Sequence, residues 1–282
     1  MKVFYHNDLD GRCAGALVAY FTGNYNPEDY YEVDYVMDLS VVPVANGEIV
    51  YFVDYSFKEN TLDFLKSLQK RDCQIAWIDH HTSSINLCKA HPELQSIAGI
   101  RDGSASGALL TFKYFSQYGD AHDFIKLVSD YDCWQYRYEP NTTYFKLGIE
   151  TTEYDALDPI WRDLLSDVWS AQFGSIIDIG KTIKGYVDKT NDYYREHYAY
   201  ETEIAGHKCL VVNQKTNSWV FGEKYNEYPL VMVWVFDGTQ YVYSIFSGDP
   251  KIDCSKIAES YGGGGHKGAA GFSSKDLLFR KV

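Results

Sequence analysis

The chain has 282 residues, of which 45% are hydrophobic, and its formal net charge is −13. This length suits one large domain or two ordinary ones, with enough apolar residues for a sizeable core. The sequence has no lysine or arginine run, which excludes the basic stripe that usually holds long nucleic acids. A small anion remains a suitable partner, because bound metal ions can supply local positive charge in an acidic protein.

The sequence also favours a cytoplasmic protein. Residues 1–8 lack the apolar stretch of a signal peptide, and no window reaches the apolar length of a membrane span. The six cysteines are scattered and form no C-x-x-C pair, so a zinc knuckle is not expected. Reduced thiols in a cytoplasm are the simplest interpretation of these cysteines.

The first half of the chain alternates short apolar runs with helix-compatible segments. The predicted elements are, in order, strand Lys2–Tyr5, helix Cys13–Phe21, strands Glu32–Met37 and Glu48–Val53, helix Phe57–Arg71, strand Gln74–Ile78, and helices Ala108–Phe115 and Asp123–Ser129. This alternation predicts an α/β fold, with a mostly parallel sheet flanked by helices.

The second half begins with a helix-rich region, residues 157–197, and then becomes β-rich. The predicted elements are strands His207–Asn213, Leu230–Phe236 and Gln240–Phe246, followed by helix Asp253–Tyr261. The dipeptide Asp237-Gly238 is a strong hairpin signal between the last two strands. We therefore predict an N-terminal domain over 1–175, a helical linker over 176–200 and a smaller α+β domain over 201–282.

Acids and histidines follow three of the predicted strands. His6, Asp8 and Asp10 come after the first strand, Asp54 after the third and Asp79 after the fourth. In open parallel sheets the ligand crevice lies at the carboxyl ends of the strands. These residues, distant in sequence, are therefore expected to converge on one place.

The stretch HNDLDG, residues 6–11, holds three potential ligands at alternate positions. In an extended segment alternate side chains share a face, and Gly11 would permit a tight turn into the next helix. Carboxylates with imidazole and without thiolate suit Mn²⁺, and suit Mg²⁺ less well. An Asx-rich turn that caps a helix explains the same residues, and this stretch taken alone favours capping.

Two further stretches follow strand ends. Asp54, in VDYS, is explained by helix capping when it is taken alone. The adjacent histidines of IDHHTS, His80 and His81, favour a functional role, because a neutral imidazole binds metal and a protonated one pairs with phosphate. Asp79 is suited to orient such an imidazole.

The remaining motifs lie at residues 129–134 and 262–272. SDYDCW offers Asp130 and Asp132 as metal ligands. Taken alone, this stretch is explained equally well as the C-terminal end of a helix with exposed acids. GGGGHKGAAGF contains successive glycines that allow backbone N–H groups to approach an anion, with His266 and Lys267 as donors to phosphate. A flexible linker is the alternative, but we favour anion binding.

Together these motifs resemble the DHH phosphoesterase family. The ordered set of HNDLDG, VDYS, DHH, DYDCW and GGGGHKGAAGF spans nearly the whole chain. The C-terminal part is similar to the DHHA1 associated domain, whose signature is a glycine run with a histidine. The chain looks like the short members, which act as nano-RNases or as phosphodiesterases and phosphatases of small nucleotides; many of these chains are described as exopolyphosphatase-related.

The resemblance implies a site with two Mn²⁺ ions, for which Mg²⁺ or Co²⁺ would be substitutes. The implied ligands of the first ion are His6, Asp8 and Asp54. Those of the second ion are Asp10, Asp54, His80 and Asp132, with Asp54 as the bridge. The implied catalytic residues are His81 at the scissile phosphate, Asp79 in support and His266 from the second domain. The implied phosphate-binding residues are Gly263, Gly264, Gly265, His266 and Lys267.

Three positions bear on how far this resemblance extends. His6 lies two residues before Asp8, whereas several branches of the family place that histidine four residues before the first motif aspartate. For the fourth motif Asp132 is preferred and Asp130 is the reserve. Phe246 stands where related nano-RNases often carry a substrate-binding arginine. Either Phe246 stacks on a base, or a nearby lysine compensates: Lys251, Lys256 or Lys267.

The expected function is hydrolysis of short oligonucleotides, or of linear or cyclic dinucleotides, to 5′-mononucleotides by a metal-activated water. Two enzymatic alternatives are a phosphomonoesterase acting on 3′-phosphoadenosine 5′-phosphate and an exopolyphosphatase. A third alternative is a catalytically silent nucleotide-binding module. The expected partner is a short oligonucleotide or small nucleotide, not a long duplex or a membrane, and the sequence leaves a homodimer open.

Overall fold

The computed structural model describes residues 1–116, 119–166 and 171–281. The chain divides into two compact units, Met1–Lys184 and Gly185–Val282. The predicted α/β class is confirmed: the first unit holds a parallel sheet with helices, and the second holds a sheet with a short helix. One long helix, Ala171–Tyr198, runs through the region predicted as a linker. None of the described helices combines the length and apolarity that a membrane span requires.

The sheet of the first unit has four strands. They are β1 (Lys2–His6), β2 (Tyr30–Val33), β3 (Ile49–Val53) and β4 (Gln74–Ile78). Their order is β2-β1-β3-β4, and every neighbouring pair is parallel. The chain goes from β1 to β2 on one side and continues with β3 on the other side of β1. This topological switch between β1 and β3 is where open α/β sheets bind ligands.

Helices cover both faces of this sheet. They are α1 (Leu9–Thr22), α2 (Leu62–Lys70), α3 (Thr82–Ala90), α4 (Gly107–Phe115), α5 (Asp123–Asp132), α6 (Asn141–Ile149) and α7 (Pro159–Ser166), followed by α8 (Ala171–Tyr198). One core cluster forms between the sheet and α1, α4, α5 and α7. A second cluster, with Phe52 and Trp77 fully buried at its centre, includes the apolar side of α2. Strands buried on both sides explain the continuous apolar runs in the sequence.

Local polar contacts shift several boundaries from those predicted. Helix α1 begins at Leu9 and not at residue 13, because the Asp8 Oδ1 accepts the Gly11 N–H at 2.9 Å. Strand β2 ends at Val33 because the Asp34 carboxylate accepts the N–H groups of residues 36 and 37 in a turn. The prediction of a tight turn at Gly11 was wrong. Gly11 lies in the first turn of α1, where a Cβ would come within 2.2 Å of the His6 carbonyl oxygen.

The second unit contains a six-stranded mixed sheet. Its elements are β5 (Tyr200–Ile204), β6 (His207–Asn213), β7 (Leu230–Phe236), β8 (Tyr241–Phe246), α9 (Cys254–Glu259), β9 (Gly264–His266) and β10 (Ala269–Ser274), and the strand order is β5-β6-β7-β8-β10-β9. The predicted hairpin between β7 and β8 is present. The Asp237 carboxylate accepts the N–H groups of Thr239 and Gln240, and Gly238 has a φ of 101°.

Candidate metal and phosphate site

Two strand ends and the start of α1 bring His6, Asp8 and Asp54 together. His6 is the last residue of β1, and Asp8 is the N-cap of α1. The His6 Nδ1 lies 2.7 Å from the Asp8 Oδ2 and 3.9 Å from the Asp54 Oδ2. One oxygen of Asp8 caps the helix while the other faces the imidazole, so the capping and the functional interpretations of this stretch are both compatible with the structure.

A second group of ligand-type atoms shares Asp54. The His80 Nε2 lies 3.3 Å from the Asp54 Oδ1 and 3.2 Å from the Asp132 Oδ2. His80 follows β4, and Asp132 is the last residue of α5. The His81 Nδ1 is 3.9 Å from the Asp54 Oδ1. We call this set the acid–histidine cluster; its members are His6, Asp8, Asp54, His80, His81 and Asp132.

Asp54 is the centre of the acid–histidine cluster. Its side chain is 1% exposed, and neither carboxylate oxygen has a hydrogen-bond partner among the described residues. Its φ of 54° lies in the left-handed region, an uncommon backbone conformation that recurs at functional sites. Burial, together with the nearby carboxylates of Asp10 and Asp8, raises the pKa of Asp54 well above its ordinary value. A buried carboxylate without donors is costly, so this cluster fits a bound divalent cation.

The other buried groups of the cluster also carry shifted pKa values. Burial and the nearby Asp10 carboxylate raise the pKa of Asp132 to about 8. Burial opposes the charged imidazole of His80, but its contact with Cys133 and the surrounding carboxylates raise its pKa to about 9. Raised pKa values on both the carboxylates and the imidazoles show that the negative charges of the cluster repel one another. A bound divalent cation with oxygen and nitrogen ligands would relieve this repulsion.

Asp79 holds the His81 imidazole in place. Asp79 is fully buried, and its Oδ1 lies 2.7 Å from the His81 Nδ1 and accepts the His80 N–H at 2.9 Å. Its Oδ2 accepts the Ser84 hydroxyl, which lies 2.9 Å from the Ser56 hydroxyl. The two oxygens of Asp79 are thus fully used in fixing the imidazole and its loop, which is the arrangement expected of an orienting carboxylate.

Asp10 is placed differently from the prediction. The segment is helical from Leu9, so His6, Asp8 and Asp10 do not share the face of an extended strand. The Asp10 carboxylate is buried and accepts the N–H groups of Gly107 and Ala108 at 2.6 and 3.0 Å, at the first turn of α4. It still raises the pKa values of Asp54 and Asp132, so it adds negative charge to the cluster from a fixed position.

Gly107 is a site residue that the sequence interpretation missed. A Cβ at this position would lie 2.5 Å from the Asp54 Cβ and 3.0 Å from the Asp10 Oδ2. Glycine therefore lets the start of α4 approach both carboxylates. The sequence signal for it is the run of small residues at 104–108, where the predicted helix Ala108–Phe115 begins.

The geometry favours Asp132 over its reserve, Asp130. Asp130 is buried and accepts the N–H groups of Arg137 and Tyr138 at 2.9 and 3.1 Å, and also the Thr142 hydroxyl at 2.5 Å. These bonds stabilise the loop that follows α5. Asp130 is thus a structural residue, whereas the Asp132 Oδ2 is buried without a hydrogen-bond partner among the described residues.

Tyr35 and Cys133 lie near the cluster and Trp134 follows Cys133 in the chain, and none of the three was predicted as a site residue. The ring of Tyr35 lies 5.1 Å from that of His6, and its buried hydroxyl has no partner in the described part of the chain. Cys133 directly follows Asp132 and has its sulfur near the His80 ring. Trp134 has a φ of 54° and is 71% exposed. An exposed indole held in an uncommon backbone conformation is available to stack on a ligand.

In the second unit, the glycine run forms the outermost hairpin of the sheet. We call residues 262–272 the glycine hairpin; β9 is its edge strand and pairs with β10. A Cβ on Gly263 would lie 2.1 Å from the Gly271 carbonyl oxygen, and one on Gly265 would lie 2.5 Å from the Ala270 Cα. Close packing within the hairpin therefore explains these two glycines. Gly264, His266 and Lys267 are exposed, and their role in phosphate binding stays a prediction.

Phe246 ends β8 beside the glycine hairpin. It is half-buried and packs against a cluster that includes Val212, Val220 and Phe221. This packing leaves less of the ring for stacking than the exposed Trp134 offers. Lys251, Lys256 and Lys267 are all exposed in this unit.

The chain was compared with known sequences and solved structures, and the structural comparison agrees with this fold. No protein-family model matches the chain. In sequence it is similar to the uncharacterized protein R106 of Acanthamoeba polyphaga mimivirus, with 22% identity over 99% of this chain and 70% of that protein. In structure it is similar to the pGpG-specific phosphodiesterase PggH from Vibrio cholerae, with a TM-score of 0.54 and 12% identity over 96% of this chain and 92% of that chain.

A second solved structure is an exopolyphosphatase-related protein from Bacteroides fragilis, with a TM-score of 0.48 and 13% identity over 98% of this chain and 87% of that chain. The likeness to PggH shows a shared fold, and this fold is consistent with the resemblance of the sequence motifs to the DHH phosphoesterase family.

Proposed function

We propose that the chain is a metal-dependent phosphodiesterase of the DHH type that hydrolyses short oligonucleotides, or linear or cyclic dinucleotides, to 5′-mononucleotides. The observation that carries this proposal is Asp54. It is buried between His6 and His80, with both carboxylate oxygens free of hydrogen bonds from the described residues. Side chains that merely cap helices or stabilise loops, such as Asp130, have their oxygens saturated by donors instead.

The proposed ligands follow from the two groups that share Asp54. His6, Asp8 and Asp54 would hold one ion, and Asp54, His80 and Asp132 would hold the other, with Asp10 adding charge from the first turn of α1. Oxygen and imidazole ligands suit Mn²⁺, with Mg²⁺ or Co²⁺ as substitutes. When bound, a pair of divalent ions supplies a water of lowered pKa and positive charge for the phosphoryl oxygens.

His81 is the proposed contact to the scissile phosphate. Its Nδ1 faces the Asp79 carboxylate at 2.7 Å, so Nε2 is the nitrogen left to donate to a phosphoryl oxygen or to the leaving oxygen. Asp79 stabilises the charged imidazole while the proton is on it, as an oriented carboxylate does for a catalytic histidine. Ser84 fixes Asp79 in turn, because its hydroxyl donates to the second carboxylate oxygen.

A nucleotide is the proposed substrate for two reasons. Trp134 presents an exposed indole two residues from Asp132, and base stacking on aromatic rings is worth about 1–3 kcal/mol per base. PggH, which shares the fold, is a pGpG-specific phosphodiesterase. We further propose that His266, Lys267 and the amides of residues 263–265 bind substrate phosphate. The six cysteines are free thiols, and we propose that the protein is cytoplasmic.

The test is a hydrolysis panel with Mn²⁺-loaded protein, in which products are separated by chromatography. The panel contains a linear dinucleotide such as pGpG, a cyclic dinucleotide, a pentanucleotide, 3′-phosphoadenosine 5′-phosphate and inorganic polyphosphate. The expected result is 5′-mononucleotides from the diesters, lost on addition of a chelator. Turnover of only the monoester or only polyphosphate would replace the proposal with that activity. Tight nucleotide binding without turnover of any member would indicate a binding module.

A further inference from the structure

Cys133 brings a sulfur atom to one end of the acid–histidine cluster. A ring nitrogen of His80, a carboxylate oxygen of Asp132 and the Cys133 Sγ all lie within 4.8 Å of one another. Cys133 is half-buried at the C-terminal end of α5, where its N–H donates to the Ser129 carbonyl at 3.0 Å. This backbone bond fixes the residue next to Asp132.

The sulfur is one member of a group that already indicates a bound ligand. The His80 ring that it approaches also lies 3.3 Å from the Asp54 Oδ1, and both oxygens of that buried carboxylate lack donors in the described residues. Ligand atoms around one tetrahedral ion lie roughly 3–4 Å apart, given metal–ligand distances of about 2.0–2.3 Å. A spread of at most 4.8 Å therefore needs only a small movement of the side chains.

A thiolate changes which ion such a group prefers. Thiolate sulfur is a soft ligand that favours Zn²⁺ and other late transition ions, whereas carboxylate and water favour Mg²⁺ and Mn²⁺. The group formed by His6, Asp8 and Asp54 contains no sulfur. These two groups of ligand atoms thus differ in chemical softness, and Asp54 links them, because it belongs to the second and its Oδ1 lies 3.3 Å from the His80 Nε2 of the first.

We propose that the Cys133 sulfur is a ligand of the metal position formed by His80 and Asp132, and that it makes this position selective for Zn²⁺ or Co²⁺ over Mn²⁺ and Mg²⁺. The proposal rests on the proposed function, since both need a metal ion at this cluster. As the sulfur–metal bond forms, the S–H bond breaks and its proton leaves to solvent. The position at His6 and Asp8 keeps the preference of a site without sulfur.

The test uses Co²⁺ as a spectroscopic probe of the full-length, metal-stripped protein. Co²⁺ is titrated into the wild type, into Cys133→Ser and into the control Cys73→Ser. Cys73 directly precedes β4, and its sulfur lies near the Ala45 carbonyl oxygen. A thiolate-to-cobalt charge-transfer band in the near ultraviolet is expected in the wild type and in Cys73→Ser, and its loss is expected in Cys133→Ser. The variant should also bind Zn²⁺ at least about tenfold more weakly, with a smaller change for Mn²⁺.

The outcomes separate this inference from the proposed function. Co²⁺ binding that shows only ligand-field bands, with turnover of the substrate panel intact, overturns the role of Cys133 and leaves the phosphodiesterase proposal standing. A charge-transfer band that persists in Cys133→Ser has the same meaning. Absence of any metal binding together with absence of turnover overturns both.

A second measurement needs no variant. Wild-type protein is alkylated with iodoacetamide with and without Co²⁺, and each cysteine is quantified by peptide mass mapping. Co²⁺ is expected to slow modification of Cys133 but not that of Cys73. Equal rates for Cys133 with and without the ion, under conditions where Co²⁺ is bound, contradict the proposal even if Cys133→Ser fails to fold.

Discussion

The acid–histidine cluster of the first unit and the glycine hairpin of the second are the two unusual stretches of this sequence, and packing explains them to different degrees. Gly263 and Gly265 of the hairpin are required because a Cβ on either would collide with the neighbouring strand. In the cluster, Asp54 is buried and none of the described residues makes a hydrogen bond to its oxygens; the nearby groups are the imidazoles of His80 and His6, at 3.3 and 3.9 Å. A feature that the protein's own contacts leave unsatisfied is the stronger evidence for a ligand.

Within each region, some residues are explained by contacts inside the protein and others are not. Next to the cluster, Asp79 and Asp130 accept hydrogen bonds from protein donors, whereas within the cluster Asp54 and the Asp132 Oδ2 accept none from the described residues. In the hairpin, a Cβ on Gly264 would meet nothing within 4 Å, so packing does not explain this glycine. Substitutions at these positions test whether unsatisfied groups and unexplained glycines mark the site.

The largest effect is expected for Asp54→Asn. Removal of the shared carboxylate should lower turnover of the dinucleotide substrate by more than about 100-fold, since loss of even an outer-shell partner costs about 10–100-fold. The metal-free variant should fold, and its unfolding temperature should equal or exceed that of the metal-free wild type, because a buried carboxylate without donors is removed. Steady-state kinetics and thermal unfolding measure the two effects.

The matched control is Asp130→Asn, whose carboxylate accepts three hydrogen bonds. It should lower the unfolding temperature, in contrast to Asp54→Asn. If Asp54→Asn destabilises the metal-free protein as much as Asp130→Asn does, Asp54 is a structural residue and the comparison fails.

Alanine substitutions in the glycine hairpin come next. Gly265→Ala should destabilise the protein by about 1–3 kcal/mol, because its Cβ would overlap Ala270 and the φ of 149° is unfavourable for alanine. Gly264→Ala should change stability by less than about 0.5 kcal/mol, since open space surrounds that position. Denaturant unfolding gives both values.

The same pair of variants decides what the glycine run is for. A fall in kcat/KM for Gly264→Ala at unchanged stability would support phosphate binding by this hairpin. Wild-type kinetics for Gly264→Ala, combined with the expected loss of stability for Gly265→Ala, would leave close packing as the only supported role of the run.

A smaller effect is expected for Ser84→Ala. This change removes the hydroxyl that donates to the Asp79 Oδ2, so the carboxylate that orients His81 loses one of its fixed contacts. Turnover should fall by about tenfold, mainly in kcat, with the metal affinity little changed. The control is Ser83→Ala, whose hydroxyl lies 2.6 Å from that of Ser56 and, among the described residues, makes no hydrogen bond to Asp79. Equal losses in the two variants would show that Ser84 acts only through local stability.

The smallest effect concerns the pH dependence of the metal-free protein. The pKa of Asp132 is raised from 3.8 to about 8, and that of His80 is raised from 6.5 to about 9. Each group binds its proton more tightly in the folded state, so its stabilisation is complete at low pH and is lost as the pH rises through the folded pKa. The free energy of unfolding should therefore fall by about 1 kcal/mol or more between pH 6 and pH 9.

Thermal unfolding across this pH range, with and without Mn²⁺, provides the measurement. The stabilisation by Mn²⁺ should grow with pH, because the ion competes with protons for the same groups. Asp132→Asn should flatten the metal-free profile. A profile that rises from pH 6 to pH 9 would contradict the arrangement of protonated carboxylates around His80.

Much of the fold was predictable from sequence because the strands are continuous apolar runs. Strands Gln74–Ile78, His207–Asn213 and Leu230–Phe236 have the predicted bounds. Helix α3 was not predicted, and β5, β9 and β10 were missed as well. Strands of small or polar residues, such as the glycine run, acquire their structure from pairing with a neighbour, which local pattern does not reveal.

The residues of the candidate site were named from motifs, but their positions depended on contacts between distant segments. Local capping starts α1 at Leu9 and turns Asp10 onto the amides of Gly107 and Ala108. The nearness of Cys133 to His80, and the need for glycine at 107, follow from how α4 and α5 pack on the sheet. These relations join residues far apart in the chain and have no local signal.

By itself, the sequence determined that acids and histidines follow the strands of a parallel α/β sheet, because apolar runs and strand-end polar residues are local patterns. Only the tertiary structure decided which of these side chains are satisfied by the protein and which are not. Asp79, Asp10 and Asp130 have hydrogen-bond donors from other segments, whereas Asp54 is buried without them. That distinction depends on the packing of β1, β3, β4 and α5 around one point, where burial makes an unmatched charge costly.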